Sequence, residues 1–282
     1  MAAPRSTACR AGRAVRRPQR PLRSSLALLS ACTTTTTSSS GGESTEARGG
    51  RTAADNADPE RLARTRLDLA AAYLGRGQAQ TALVEVRAAL AAKADLPDAY
   101  RLLGLIYAQL GDLRQAEGNF QRALQLAPGD ADTMHNYGWL LCQQQRYTEA
   151  DAQFTAALAQ PLYRDGARTT LLIGICQARA GRWADAERSL SRAFELDPAN
   201  PTIAYNLSEV LYRRGEFERA RFYVKRLNAV PEYTNAESLW LAARIERRLG
   251  NMGGVQDFAR QLRERFPQSR QAQQLELGRF DD

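Results

Sequence analysis

The sequence predicts an all-α fold, a solenoid of six stacked helix-turn-helix hairpins that occupies residues 61–282. Two observations predict it. From about residue 60 onward the chain repeats itself, at an interval of 34 residues where the pattern is best kept, and self-similarity on that scale marks one supersecondary unit used many times. Within the units, small residues recur at two fixed places and a proline recurs at a third. Small residues let two helices approach closely, and a proline stops the second helix because it cannot extend one.

The pattern is plainest in DAYRLLGLIYAQLGDLRQAEGNFQRALQLAP, residues 98–128. There Tyr100, Leu103, Gly104, Tyr107, Gly111, Ala116, Phe120, Ala123 and Pro128 fall on positions 4, 7, 8, 11, 15, 20, 24, 27 and 32 of a unit starting at residue 97. These residue types in this frame resemble the tetratricopeptide repeat, and the resemblance implies a right-handed superhelix. One frame later come Tyr137, Gly138, Leu141, Ala150, Phe154 and Ala157, and then, after a two-residue insertion, Ile173, Gly174, Gly181, Ala186, Leu190, Ala193 and Pro198. Leu207, Leu211, Gly215, Ala220 and Val224 carry the fifth unit, and Leu239, Gly250, Val255, Leu262 and Pro267 the sixth. Upstream, Leu69, Tyr73, Gly77, Ala82, Val86 and Ala89 make the first. The six are expected to start near residues 63, 97, 131, 167, 201 and 236. One hairpin cannot bury its own apolar face, so each depends on its neighbours and the core runs along the stack. Met252-Gly253-Gly254 departs from the pattern and is expected to loosen the last hairpin.

Ahead of the repeats the composition changes. Residues 1–31 hold seven arginines, from Arg5 to Arg23, and no acidic residue, and they run into the short apolar core Leu26 to Leu29. Positive residues, an apolar core and small residues in sequence are the layout of a signal peptide. Leu29-Ser30-Ala31-Cys32 resembles the lipobox of bacterial lipoproteins, which implies removal of residues 1–31 and acylation of Cys32. Several acyl chains anchor a protein firmly without a spanning helix, since each buried methylene adds about 0.8 kcal/mol. An arginine-rich tail with a chance cysteine is the alternative. Residues 32–60, rich in Thr, Ser and Gly at their start, read as a flexible tether, whose roughly 26 residues would reach about 25–30 Å. Thr33, in place of an aspartate after the cysteine, points by the lipoprotein sorting rule to the outer membrane, with the domain facing the periplasm.

The leader also changes the meaning of the charge. The whole chain carries 39 basic and 31 acidic residues, a net +8. Without the seven leader arginines, 32 basic residues face 31 acidic ones. A basic excess usually points to nucleic acid or an anionic surface, but here it sits in the segment expected to be discarded, so no nucleic-acid partner is expected.

In such a solenoid the concave wall is built by positions 2, 5, 9 and 12 of each first helix, a spacing that keeps one stripe. Here the stripe includes Leu67, Leu105, His135, Trp139, Leu171, Ile175, Tyr205, Tyr212 and Trp240. Large apolar residues on an exposed wall mark a binding surface, and a groove for an extended or helical peptide is expected. Asn136 and Asn206, at position 6, are placed to hydrogen-bond a peptide backbone. For any single stripe residue, packing against a neighbouring repeat is the alternative. Chemistry is scarce: His135 is the one histidine, and no zinc-protease, P-loop or nucleophile-elbow signature is present. No catalytic residue, metal, cofactor or small-molecule substrate is expected, and an enzyme is not. Cys142 and Cys176 fall on first helices of adjacent repeats; an envelope disulfide is conceivable, and buried free thiols are the expectation.

Two segments exceed what the generic repeat asks for. NYGWLLCQQQRYTEADAQFTAALAQPLY (136–163) and SLWLAARIERRLGNMGGVQDFARQLRERFPQS (238–269) are similar to the PilF/PilW family of type IV pilus biogenesis lipoproteins. The resemblance covers the chain from Cys32 onward. It implies an outer-membrane pilotin that binds subunits of the type IV pilus secretin and promotes their localisation and multimerisation, and so supports pilus biogenesis and twitching motility. A general envelope scaffold, such as an adaptor for cell-wall enzymes, would share the lipid and the repeats.

Overall fold

In the computed structural model the described residues are 58–280, and all the regular structure among them is helical. The expected leader, the expected anchor Cys32 and the expected tether up to residue 57 lie outside the described residues. Six hairpins follow one another: α1 (Pro59–Gly75) with α2 (Ala79–Ala92), α3 (Pro97–Gln109) with α4 (Leu113–Leu126), and α5 (Ala131–Gln143) with α6 (Tyr147–Leu158). Then come α7 (Gly166–Arg179) with α8 (Trp183–Leu196), α9 (Pro201–Arg213) with α10 (Phe217–Asn228), and α11 (Ala236–Arg248) with α12 (Met252–Arg265). A last short helix, α13 (Arg270–Glu276), packs on both helices of the sixth hairpin. From α1 to α9, each odd-numbered helix also meets the first helix of the next hairpin, which is the stacking of a tetratricopeptide solenoid.

The hairpins begin at 97, 131, 201 and 236 as the repeat frame sets them, and at 166 in place of 167. The first begins at Pro59, ahead of the expected 63. Its start is a local signal outside the repeat: the Asp58 side chain accepts from the Glu60 amide, and proline stands at the first helical position, where its missing N–H costs nothing. Proline opens α3 and α9 in the same way. Asn235 and Ser238 cap α11 reciprocally.

In the second, third and fourth hairpins the two helices touch through an absent side chain. A Cβ built on Gly104 would lie 2.6 Å from the Phe120 ring, one on Gly138 2.8 Å from that of Phe154, and one on Gly174 2.6 Å from Leu190. Phe120, Phe154 and Leu190 are at most 1 % exposed, and burial of a side chain of that size stabilises by about 1.5–3 kcal/mol. In the fifth hairpin Ser208 takes the small position, and its hydroxyl donates to the Ala220 carbonyl at 2.9 Å.

Between hairpins, arginine reaches back to a carboxylate of the previous second helix. Arg146 meets Glu117 at 2.8 Å, Arg182 meets Asp151 at 2.6 Å, and Arg214 and Arg219 both meet Glu187. At the last junction the signs reverse: the buried Glu246 of α11 faces Lys225 of α10 at 2.8 Å and accepts from Asn251 at 2.7 Å. This pairing explains one glycine of the sixth repeat, Gly254. Helix α12 runs unbroken through Gly253 and Gly254, and a Cβ on Gly254 would lie 2.9 Å from the Glu246 side chain. Gly254 thus makes room for a carboxylate and for the Asn251 side chain.

Cys142 of α5 and Cys176 of α7 form a disulfide, with Cα atoms 5.8 Å apart, in place of the expected free thiols. The first helices of adjacent hairpins run close enough side by side to bring the two together, a distance that spacing along the chain does not reveal. A link across 34 residues limits the unfolded chain, worth about 3–4 kcal/mol in the loop-entropy account. Among the described residues no helix is long and apolar enough to cross a membrane.

Five of the six hairpin turns place a glycine at positive φ, between 73° and 82°. The third places Gln145 there, at φ 63°, where an L side chain costs about 1 kcal/mol. Gln145→Gly is expected to raise stability by about 0.5–1 kcal/mol, read as a higher melting temperature in thermal unfolding. An unchanged or lowered melting temperature would mean that the glutamine side chain makes compensating contacts.

Candidate functional site

The inner helices place the stripe residues in two groups. Leu67, His135, Leu171, Tyr212 and Trp240 are buried, so for these the expected solvent-facing wall is corrected. Leu105, Asn136, Trp139, Ile175, Tyr205 and Asn206 are half-buried and keep part of their surface on the inner face. In the first five hairpins the cause is stacking, because a stripe residue of one hairpin is covered from the next; Trp240 of the last is covered by Phe280. Leu67 packs with Ala99 and Leu102, Leu171 joins the core with Ile203 and Leu207, and Leu105 bridges the first and middle cores.

His135 shows how complete that cover is. Its ring is 4 % exposed, its Nδ1 lies 2.6 Å from the Thr169 hydroxyl of α7, and the Tyr163 hydroxyl lies 2.6 Å from the same oxygen. Burial, aided by the nearby Arg168 and opposed by Asp165, pushes its pKa down to about 4. The imidazole is neutral at physiological pH and belongs to the seam between the third and fourth repeats, not to an open groove.

Trp139 remains the large ring on the open part of the wall, with the Arg179 guanidinium 4.8 Å from its centroid, a cation–π contact that orients the indole. Ile175 lies half-buried in the next hairpin. Asn206 already spends its Nδ2 on the Thr202 carbonyl at 2.8 Å, which leaves its oxygen to accept. Tyr205 and Glu237 line a cavity of about 380 Å³ between the fifth and sixth hairpins. Burial first, and Glu209 and Glu237 after it, push the Tyr205 hydroxyl up to about 12, so it stays a donor. At the other end a cavity of about 600 Å³ opens between α1 and α3, with Arg64, Leu67, Asp68, Asp98 and Arg101 in its lining.

Sequence reasoning passed over the arginines of this wall. Arg244 lies 4.5 Å from the Tyr212 ring, and Arg247 and Arg244 both touch Phe280, a residue beyond the last repeat. Position 12 carries a charge only in the sixth repeat, and position 9 carries arginine there where the first four repeats carry apolar residues and the fifth Glu209; that departure was the available signal. Among the described residues no group of three or more His, Cys, Asp or Glu is placed to hold a metal ion.

The pattern of the tetratricopeptide repeat matches residues 95–161, 136–201 and 177–232. The type IV pilus assembly protein PilF of Pseudomonas aeruginosa is 26 % identical over 210 residues, covering 74 % of this chain and 83 % of the relative. A crystal structure of PilW, described as a widely conserved type IV pilus biogenesis factor, superposes with a TM-score of 0.72 at 29 % identity, over 76 % of this chain and 98 % of PilW. The chain is a tetratricopeptide-repeat protein homologous to PilF and PilW. The solved Pseudomonas aeruginosa PilF shares the fold, with a TM-score of 0.68 at 24 % identity over 78 % of this chain and 99 % of that one. As a PilF/PilW homologue built of these repeats, the chain is a protein-interaction scaffold.

The buried histidine gives a pH test. Its folded pKa lies below the unfolded value near 6.5, so between about 6.5 and about 4 the unfolded chain binds a proton that the native ring refuses. Stability from this group is complete above pH 6.5 and is lost as pH falls to about 4. His135→Gln does not titrate, so its melting temperature is expected to drop less than the parent's between pH 7 and pH 5. Parallel melting curves would argue against a neutral buried imidazole.

Proposed function

We propose that the protein is an outer-membrane lipoprotein of the PilF/PilW kind, a pilotin that binds subunits of the type IV pilus secretin and promotes their localisation and multimerisation. The observation that carries the reading is the similarity to PilW, which extends over 98 % of that chain at 29 % identity. Three features support it. The lipobox-like Leu29-Ser30-Ala31-Cys32 supplies an anchor to a chain with no spanning helix among its described residues. The Cys142–Cys176 disulfide suits an oxidising compartment such as the periplasm. The open stretch of inner wall around Leu105, Trp139 and Ile175 offers apolar surface to a protein partner. In this reading the protein does no chemistry: the anchor carries the partner to the membrane, and the repeats hold it.

The anchor is tested by Cys32→Ala. The variant is expected to leave the outer-membrane fraction, as unprocessed or soluble protein, and to leave secretin subunits made but poorly multimerised, with few surface pili. Normal secretin rings in a strain lacking the gene, on gels that preserve the heat-stable ring, would count against the pilotin and leave a general envelope scaffold.

The wall is tested by Trp139→Ala. Buried aromatic anchors often carry about 2 kcal/mol or more of binding energy, so secretin affinity is expected to fall about thirtyfold, with a small change in melting temperature. Leu105 is a poorer probe because it joins two cores. Lost stability with unchanged secretin binding would assign Trp139 to the core.

A further inference from the structure

The segment after α13 turns back over the inner face of α11. Gly278 reverses the chain at φ 65°, and Phe280 lands on Trp240, with ring centroids 5.0 Å apart and planes inclined by 26°. The Arg244 Nε donates a 2.9 Å hydrogen bond to the Phe280 carbonyl oxygen. The Arg247 guanidinium lies 4.4 Å from the centroid of the Phe280 ring. Trp240, Arg244 and Arg247 are positions 5, 9 and 12 of the sixth repeat, the positions that form the inner wall of every other hairpin. What they hold here is an aromatic side chain and a main-chain carbonyl, the two handles an extended peptide offers a groove.

One side of the subsite is held by a contact that does not involve its occupant. Arg244 is 8 % exposed and stacks on Tyr212 of the fifth hairpin at 4.5 Å, which fixes the direction of its Nε–H. If Phe280 left, a buried guanidinium would lose its acceptor and an indole its cover, so the face favours a replacement of the same kind. The ring packs from outside on the core of Leu239, Trp240, Ala243, Ala259 and Leu262, and is itself only partly buried. The matching ligand is therefore an aromatic residue whose main-chain carbonyl is free to accept a hydrogen bond.

We propose that the inner face of α11 is a peptide-binding subsite for an aromatic residue, filled in cis by Phe280, and that a partner segment carrying phenylalanine or tyrosine takes it by displacing that residue. The inference is independent of the secretin, because its test uses a synthetic peptide and no pilus component. The probe is the fluorescently labelled hexapeptide of residues 277–282, with a second peptide in which phenylalanine is replaced by alanine, each titrated by anisotropy against the full chain. A ligand on a short tether competes at an effective concentration of about millimolar. Phe280→Ala is therefore expected to bind the phenylalanine peptide at least about tenfold more tightly than the parent does, and the alanine peptide not measurably. Adding Arg244→Ala to Phe280→Ala should remove the gain. Equal affinity of parent and Phe280→Ala for the probe would overturn the proposal, as would failure of the variant to distinguish the two peptides. Circular dichroism and a melting curve accompany the titrations, with a chain ending at Gly278 as a second variant. If both variants lose the helical signal of the last hairpin, Phe280 is part of its core and the subsite is not displaceable.

Discussion

Phe120 rests against the part of α3 where Gly104 has no side chain, and Phe154 does the same against Gly138. The second to fourth hairpins are closed by that kind of contact, and the stack is built on it. With a methyl at the small position the ring would have to move, and in a close-packed interior such a shift is felt by the neighbours. The close approach makes each pair of helices one flat unit with two apolar faces. Stacking then becomes the way to cover those faces, and a continuous core follows from repetition. The arginine contacts between hairpins, such as Arg146 to Glu117 and Arg182 to Asp151, sit at the rim of these junctions. Partly exposed ion pairs add little stability, and their geometry suits the setting of register between units whose apolar faces are much alike.

That same chemistry explains what could be read in the residues alone. The signals for hairpin boundaries are local: a glycine for the turn, small residues for the contact, a proline or capping residue for the ends. Starts at 97, 131, 201 and 236 were therefore legible. The start at Pro59 was not, because Asp58 and Pro59 make a cap that lies outside the repeating frame. The place of Gly254 was not legible because it is set by Glu246, which belongs to the facing helix.

The wall was legible as a stripe and illegible as a surface. Position numbers say which side of a helix a residue occupies, while burial depends on what arrives from elsewhere in the chain. His135 is closed by Thr169 and Tyr163, from the next hairpin and the loop before it. Tyr212 is closed by Arg244, and Trp240 by a phenylalanine 40 residues further on. The cysteine pair illustrates the same limit, since both residues were correctly placed on adjacent first helices and only their separation in space was missing.

That covalent bridge also bears on the molecule as a mechanical object. A stack joined only by side-chain contact behaves as a coil spring, in which a pull or a twist is shared among all its turns. Between α5 and α7 one rung is bonded through sulfur, so shear at that turn is resisted by covalent stiffness and the remaining compliance falls to the turns on either side. The wall beside the rung, where Trp139 and Ile175 stand, keeps its curvature while the ends of the spring yield, and a load applied at either end reaches it only after the outer turns have strained.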